Sequence, residues 1–352
     1  MAVNLAAEII DLGHEVGIFY WDEKGDENYV LDPRIKLYKP PSRLLPLRIL
    51  GLRSLLGKLP VDVVIGIADM SNITAWMATS SVTDPPAFMA SVHCDLRVRD
   101  AALGLSFRTW LVRLLHKQAC THAARVVVVS DGARDSLIEY FELKPESVAS
   151  IYNPVLQDVK PLATRLPSGE PVRIIAAGRL TQAKNYPAMI RAIQILNGRL
   201  NMVCHLDIYG TGVLRDHLQA LIDELNLSSQ ITLCGFVSNL PEKMAEGDVF
   251  LQSSSWEGFG NVLVEALHAG LKVIAADCPS GPREILADGK FGVLVSVDDS
   301  LALATAIAEE LSHPIRIDEI ELREHLRNFT TAKIAGEYLD LTRELFARRR
   351  SP

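Results

Sequence analysis

The chain has 352 residues and a formal net charge of -7, a length that points to two domains and a charge that excludes nucleic acid as an expected partner. Hydrophobic residues make up 48% and charged residues 22%, the balance of a globular protein that buries its core without staples. Five cysteines (Cys94, Cys120, Cys204, Cys234 and Cys278) show no C-x-x-C spacing, which argues against a disulfide framework or zinc centre and for a reducing cytoplasm. No apolar run reaches eighteen residues and no basic region precedes an apolar start, so neither a membrane span nor a signal peptide is expected.

Residues 3–12 read as a helix stopped by Gly13, followed by a strand over 16–20. A doubly wound domain ordinarily opens with a strand and a glycine-rich turn before that helix. The sequence therefore reads as lacking its first strand and turn, through a misplaced start or a natural truncation. The segment 34–60 is basic: Arg34, Lys36, Lys39, Arg43, Arg48, Arg53 and Lys58 stand among leucines without one acidic residue. Such a segment is expected to lie on an anionic membrane surface. The other reading is a solvated helix with one core-facing stripe, and Pro46 and Gly51 weaken any long helix there. The stretch 107–117 (FRTWLVRLLHK) either adds to that surface or is a core helix.

Short runs rich in Val and Ile follow at 61–67, 87–92, 125–130 and 148–152, then at 172–177, 203–209, 231–233, 249–252 and 272–276. They are apolar at successive positions, as in parallel strands buried on both faces, and helical patterns separate them. The expected fold class is α/β, with two Rossmann-like doubly wound domains. A stretch at 153–170 holding Pro154, Pro161, Pro167, Ser168 and Gly169 reads as the linker. The expected division is 1–155, 156–330 and a C-terminal helix within 331–352 that packs back on the first domain.

Two motifs carry chemistry. After the strand at 249–252 and the serines 253–255 comes Glu257-Gly-Phe-Gly-Asn-Val-Leu-Val-Glu265. Gly258 and Gly260 permit close backbone approach, and a helix starting near Gly260 or Asn261 offers its N–H groups and positive dipole end to a diphosphate. One carboxylate, Glu257, stands before the helix and one, Glu265, inside it, so one can face a sugar and the other a ribose. The second motif, Gly178-Arg179-Leu180-x-x-x-Lys184-Asn185, directly follows a strand. Strand ends are where ligands bind in such sheets, and two cations across a turn suit a leaving diphosphate without a metal. Plain solvated turns and surface carboxylates remain the bland alternative for each motif.

Together these motifs resemble the family 4 retaining glycosyltransferases of GT-B fold, whose two Rossmann-like domains face a cleft. The I-Y-G-T-G turn at 208–212, Cys234-Gly-Phe-Val237 and Cys278-Pro-Ser-Gly-Pro-Arg-Glu284 resemble the family too, the last of them its bacterial members of cell-surface polysaccharide assembly. The resemblance implies that Arg179 and Lys184, beside Gly178, hold the donor diphosphate. It implies that Glu257 faces donor-sugar hydroxyls and Glu265 the ribose. By the same resemblance Phe259, Gly260 and Asn261 approach sugar and phosphate, and Phe236 and Val237 flank the nucleobase. His93, at a strand end, matches a first-domain histidine near the transferred sugar. The implied activity is retaining, metal-independent transfer from a nucleoside diphosphate sugar, by family default a UDP-sugar. The acceptor is a glycan or lipid-linked glycan at the inner membrane face, and no cofactor is implied. The family's glycine-rich loop after the first strand is absent from this sequence. That opens a second expectation, a catalytically impaired remnant that binds nucleotide sugar without transfer.

Overall fold

The computed structural model describes residues 2–21, 31–104, 106–159, 171–200 and 202–350. Residues 160–170 of the expected linker lie outside them. The chain divides into two compact units, 1–157 with 330–352, and 158–329.

Unit 1 begins with helix α1 (Ala2–Asp11). Gly13, at φ +90°, closes it, with the Gly13 and His14 amides donating to the Ile10 and Ile9 carbonyls. Next come β1 (Gly17–Phe19), β2 (Lys36–Tyr38), α2 (Leu45–Leu56), β3 (Val63–Ile67), α3 (Asp69–Thr79) and β4 (Ala87–Val92). Then follow α4 (Leu96–Leu103), α5 (Phe107–His122), β5 (Arg125–Val128), α6 (Asp131–Phe141) and β6 (Val148–Ser150). Strands β1 and β2 pair in parallel as one small sheet; β3, β4, β5 and β6 form a second parallel sheet in that order.

All six residues of β4 are buried, because the sheet is covered on both faces. Phe88, Ala90 and Val92 pack with Ala75, Ala119 and Leu137 of α3, α5 and α6. Ala87 and Met89 pack the other way, with Leu5 of α1 and with Ile334, Tyr338 and Leu341. Those last three belong to the C-terminal helix, which thereby completes the core of unit 1. The basic segment resolves into β2 and α2. Pro46 sits in the first turn of α2, where its missing N–H costs nothing. Gly51 lets the helix lie against the prolines before it, since a Cβ there would meet Pro41 Cδ at 3.2 Å.

Unit 2 runs β7 (Val172–Ala177), α7 (Tyr186–Arg199), β8 (Cys204–Tyr209), α8 (Arg215–Glu224), β9 (Ile231–Gly235), α9 (Leu240–Met244) and β10 (Val249–Gln252). It continues through α10 (Asn261–His268), β11 (Lys272–Ala276), α11 (Pro282–Ile285), β12 (Val293–Val295), α12 (Ser300–Ser312) and α13 (Glu319–Arg327). Helix α14 (Thr331–Arg350) then returns to unit 1. The six strands are all parallel, in the order β12-β11-β10-β7-β8-β9. The doubly wound α/β class expected from the sequence is what the chain forms. Strands β2 and β12 were not legible: each has three residues, too few for a period-two pattern.

No helix among the described residues is long and apolar enough to cross a membrane.

Candidate active site

The winding of unit 2 reverses between β7 and β10. From β7 the sheet grows outward through β8 and β9, and from β10 through β11 and β12. The loops leaving the carboxyl ends of these two neighbours diverge to opposite faces and leave a crevice at the switch point. The loop after β7 is Gly178–Asn185 and the loop after β10 is Ser253–Gly260, so the two motifs meet there.

Their junction is built from hydrogen bonds. The Ser255 amide donates to Ala183 O at 2.8 Å, and Ser253 Oγ donates to the Lys184 and Asn185 carbonyls, each at 2.9 Å. Lys184 Nζ donates to Glu257 Oε1 in a close ion pair, with side chains 18% and 12% exposed. The same oxygen accepts from Gln252 Nε2 at 3.0 Å and from Ser254 Oγ at 2.7 Å. Glu257 is thereby fixed by one oxygen. Its Oε2 accepts no hydrogen bond among the described residues. Arg179 is exposed and stands in no ion pair among the described residues. Lys184 and Glu257 are thus brought together, while Arg179 has no side-chain partner among the described residues.

Glycine governs how closely these loops pack. Gly178 follows β7, and Tyr186 Oη donates to its carbonyl at 3.1 Å. Gly281 has φ +99°, and a Cβ on it would fall 1.8 Å from Phe259 O. The loop after β11 therefore presses on the backbone of the Phe259–Gly260 turn, with Ser280 Oγ donating to Glu257 O at 3.3 Å. Gly260, at φ +102°, then opens α10. Phe259 is buried against Phe329, ring centroids 5.6 Å apart. It contributes backbone rather than its ring to the crevice, and Asn261 is the first residue of the helix. Phe236 is exposed and Val237 half-buried beyond the end of β9.

Glu265 lies on the second turn of α10, half-buried, with no hydrogen-bond or ion-pair partner for its carboxylate among the described residues. Burial alone pushes its pKa up to about 7. Perturbed carboxyls of this kind cluster at binding sites. His93 follows β4 in unit 1, and burial brings it down to about 4, so it is neutral at neutral pH. Its Nε2 is 2.9 Å from Ser91 Oγ. Among the described residues no three His, Cys, Asp or Glu side chains cluster as a metal site. Sequence reasoning missed Gln252, Ser254 and Gly281; the run of three serines before Glu257 was the available signal for the second of these.

A parallel sheet that reverses at a crevice, with a lysine–carboxylate pair and an open helix N-terminus at the reversal, defines a nucleotide-type binding domain of the doubly wound class. Residues 163–333 match the family described as Glycosyl transferases group 1, and residues 1–157 match Glycosyltransferase Family 4. Taken together, the two matches span nearly the whole chain, and the protein belongs to the family 4 glycosyltransferases of GT-B fold. One curated relative is the N-acetylgalactosamine-N,N'-diacetylbacillosaminyl-diphospho-undecaprenol 4-alpha-N-acetylgalactosaminyltransferase of Campylobacter jejuni. It is 36% identical over 191 residues, 54% of this chain and 50% of the relative. The lipopolysaccharide core biosynthesis glycosyltransferase LpsE of Rhizobium meliloti is 29% identical over 178 residues, half of each chain. The aligned part thus spans about half the length of these relatives. Among solved structures, sucrose-phosphate synthase from Thermosynechococcus elongatus superposes with a TM-score of 0.83 at 20% identity, over 98% of this chain and 92% of that one. Anabaena Alr3699/HepE in complex with UDP and glucose gives 0.78 at 17% identity, over 97% and 95%. At such identities the likeness shows the fold.

Proposed function

We propose that this protein is a retaining glycosyltransferase that moves a sugar from a nucleoside diphosphate sugar, UDP-linked, to a glycan or lipid-linked acceptor. The observation that carries the reading is the meeting of the two motif loops at the switch point, with Lys184 held on Glu257 and Glu265 unpartnered on the adjoining helix. In this reading unit 2 holds the donor. Arg179 and Lys184 take the diphosphate and stabilise the charge that develops as it leaves, with the first turn of α10 beside them. An ammonium has three donors, so Lys184 can stay on Glu257 while it binds phosphate. Two cations and a helix end supply the charge stabilisation that a metal otherwise gives. Glu257 Oε2 orients the sugar, Glu265 accepts from the ribose, and Phe236 with Val237 borders the base. Unit 1 holds the acceptor, with His93 as a hydrogen-bonding group near the transferred sugar.

The reading extends to a peripheral position on the inner, cytoplasmic face of an anionic membrane. Helix α5 exposes Phe107, Trp110, Leu111 and Leu114, a stripe at i, i+3, i+4 and i+7, on the side away from buried His116, Ala119 and Cys120. Leu44, just before α2, and Leu47 and Leu50 on it are exposed around its arginines. Neither helix contains an acidic residue, although the chain as a whole is acidic, so no charge on them repels an anionic lipid surface. The relatives named for lipid-linked and lipopolysaccharide glycans fit this acceptor class.

Calorimetric titration with UDP, GDP and ADP tests the donor site. UDP is expected to bind selectively, and Arg179→Ala and Glu265→Ala to abolish binding. A folded chain that binds none of the three removes the proposal.

A further inference from the structure

A carboxylate outside both motifs joins three loops at the edge of the unit 2 crevice. Asp298 Oδ1 accepts from Asn185 Nδ2 in a close hydrogen bond and from Ser255 Oγ at 3.4 Å. Asn185 ends the loop after β7, Ser255 belongs to the loop after β10, and Asp298 to the loop after β12. Strand β12 stands three places from β7 in the sheet, about 14 Å at the usual strand spacing. The contact therefore reaches across the ends of β11 and β10.

Residue chemistry fixes the directions. A carboxylate only accepts, so the Asn185 atom that faces it is the amide nitrogen. Asn185 stands at the N-cap of α7, where an asparagine ordinarily accepts from its own helix. It makes no such bond, and at φ +46° its side chain goes to Asp298 instead. Two adjacent aspartates divide the roles at the other end. Asp299 Oδ1 caps α12, accepting from the Ala302 amide at 2.8 Å, and Asp298 serves the other two loops. The side chains of Asn185 and Ser255 have no further partner among the described residues.

Lys184 lies between these contacts. The Ser255 amide donates to Ala183 O, Ser253 Oγ donates to the Lys184 and Asn185 carbonyls, and the Lys184 ammonium sits on Glu257. The link from Asn185 to Asp298 holds the chain on the far side of the lysine. We infer that Asp298 is a positioning residue of the donor site: by tying Asn185 to Ser255, it keeps the backbone of Lys184 where the ammonium meets both Glu257 and a nucleoside diphosphate. This rests on the proposed donor reading, in which Lys184 binds the diphosphate. A lysine carries its charge on a flexible stem, so the placing of its backbone decides where that charge falls.

The test is calorimetric titration of the full chain with UDP. Asp298→Gly removes the acceptor at φ +62°, a conformation that glycine adopts freely, so backbone strain does not enter. It should weaken UDP about tenfold, the effect of misplacing a binding group without removing it. Asp298→Asn should keep most of the affinity, because its amide oxygen still accepts from Asn185 and Ser255. An effect of charge alone has the opposite sign: loss of a carboxylate beside a diphosphate would tighten UDP in both variants. Asn185→Asp sets two carboxylates face to face and should weaken UDP as Asp298→Gly does. Adding Asp298→Asn to it turns the hydrogen bond around and should recover most of the loss. Lys184→Ala is the control for the donor reading. If it loses affinity while Asp298→Gly binds as wild type does, or while Asp298→Asn is as weak as Asp298→Gly, the inference is overturned and the donor reading stands. Wild-type binding of UDP by Lys184→Ala overturns the donor reading, and the inference with it.

Discussion

Glu265 carries its carboxyl into unit 2 with nothing among the described residues to share its charge, and burial alone raises its pKa to about 7. A ribose donates its hydroxyls best to a carboxylate, so UDP binding should release a proton below that value. Affinity should rise about tenfold from pH 6 to pH 8, following the ionised fraction of one group with a pKa near 7. Calorimetry in buffers of different ionisation enthalpy measures the proton, and Glu265→Gln should flatten the profile. In the ligand-free protein the sign is opposite. The folded state holds this proton more tightly than the unfolded one, so the contribution of Glu265 to stability is greatest at low pH and is lost as pH rises from about 4.5 through 7. Lys184 and Glu257 present the complementary case, a pair that satisfies itself. Lys184→Ala leaves the carboxylate with only Gln252 and Ser254, and should cost about 2–3 kcal/mol, somewhat below the figure for fully buried pairs. Adding Glu257→Gln should recover part of that loss in urea unfolding; additive losses would show that the pair is not coupled.

Between elements, the decisive contacts are backbone against backbone, and sequence motifs record them as glycines. The loop after β11 reaches the turn before α10 only because Gly281 has no Cβ to strike Phe259 O. Gly281→Ala adds that collision to a backbone conformation that side chains resist, and the partner is carbonyl rather than a yielding side chain. The expected loss is about 3 kcal/mol or more in the urea midpoint with the slope preserved, together with weaker UDP binding as the Phe259–Gly260 turn moves. Wild-type binding by a correctly folded Gly281→Ala would separate this turn from the donor site. The motif around Glu257 and Glu265 was legible for the same reason: its glycines and its spacing across a helix start are local. The supports of Glu257 were not. Gln252 and Ser254 are ordinary strand-end residues until the loop after β7 brings Lys184 to the same oxygen.

For the molecule as a whole, composition and surface point in different directions. The chain is acidic, yet α2 and α5 carry no acidic side chain, and both pack against α3. Phe107, 78% exposed, stacks on Trp110 with ring centroids 5.8 Å apart. Replacing both by serine should reduce partition onto anionic vesicles about tenfold or more without lowering the melting temperature, since neither ring is buried. Unchanged partition in a sedimentation assay, or none by the parent protein, would remove the membrane part of the proposal.

Several features were settled by the sequence alone. Valine and isoleucine runs between helical patterns specify parallel strands covered on both faces, because only such strands bury successive residues. The two motifs mark strand ends because glycine, lysine and carboxylate at those spacings serve local turns and a helix start. Tertiary structure decided what depends on distant residues meeting. It paired three-residue strands too short to show a period, and it returned α14 to unit 1 so that Tyr338 packs in one cluster with Met89, nearly 250 residues away in the chain. It also turned the apolar stripe of α5 outward. The same i, i+3, i+4, i+7 spacing would have served a buried face equally well, and only the packing of His116, Ala119 and Cys120 inward settled which side meets water.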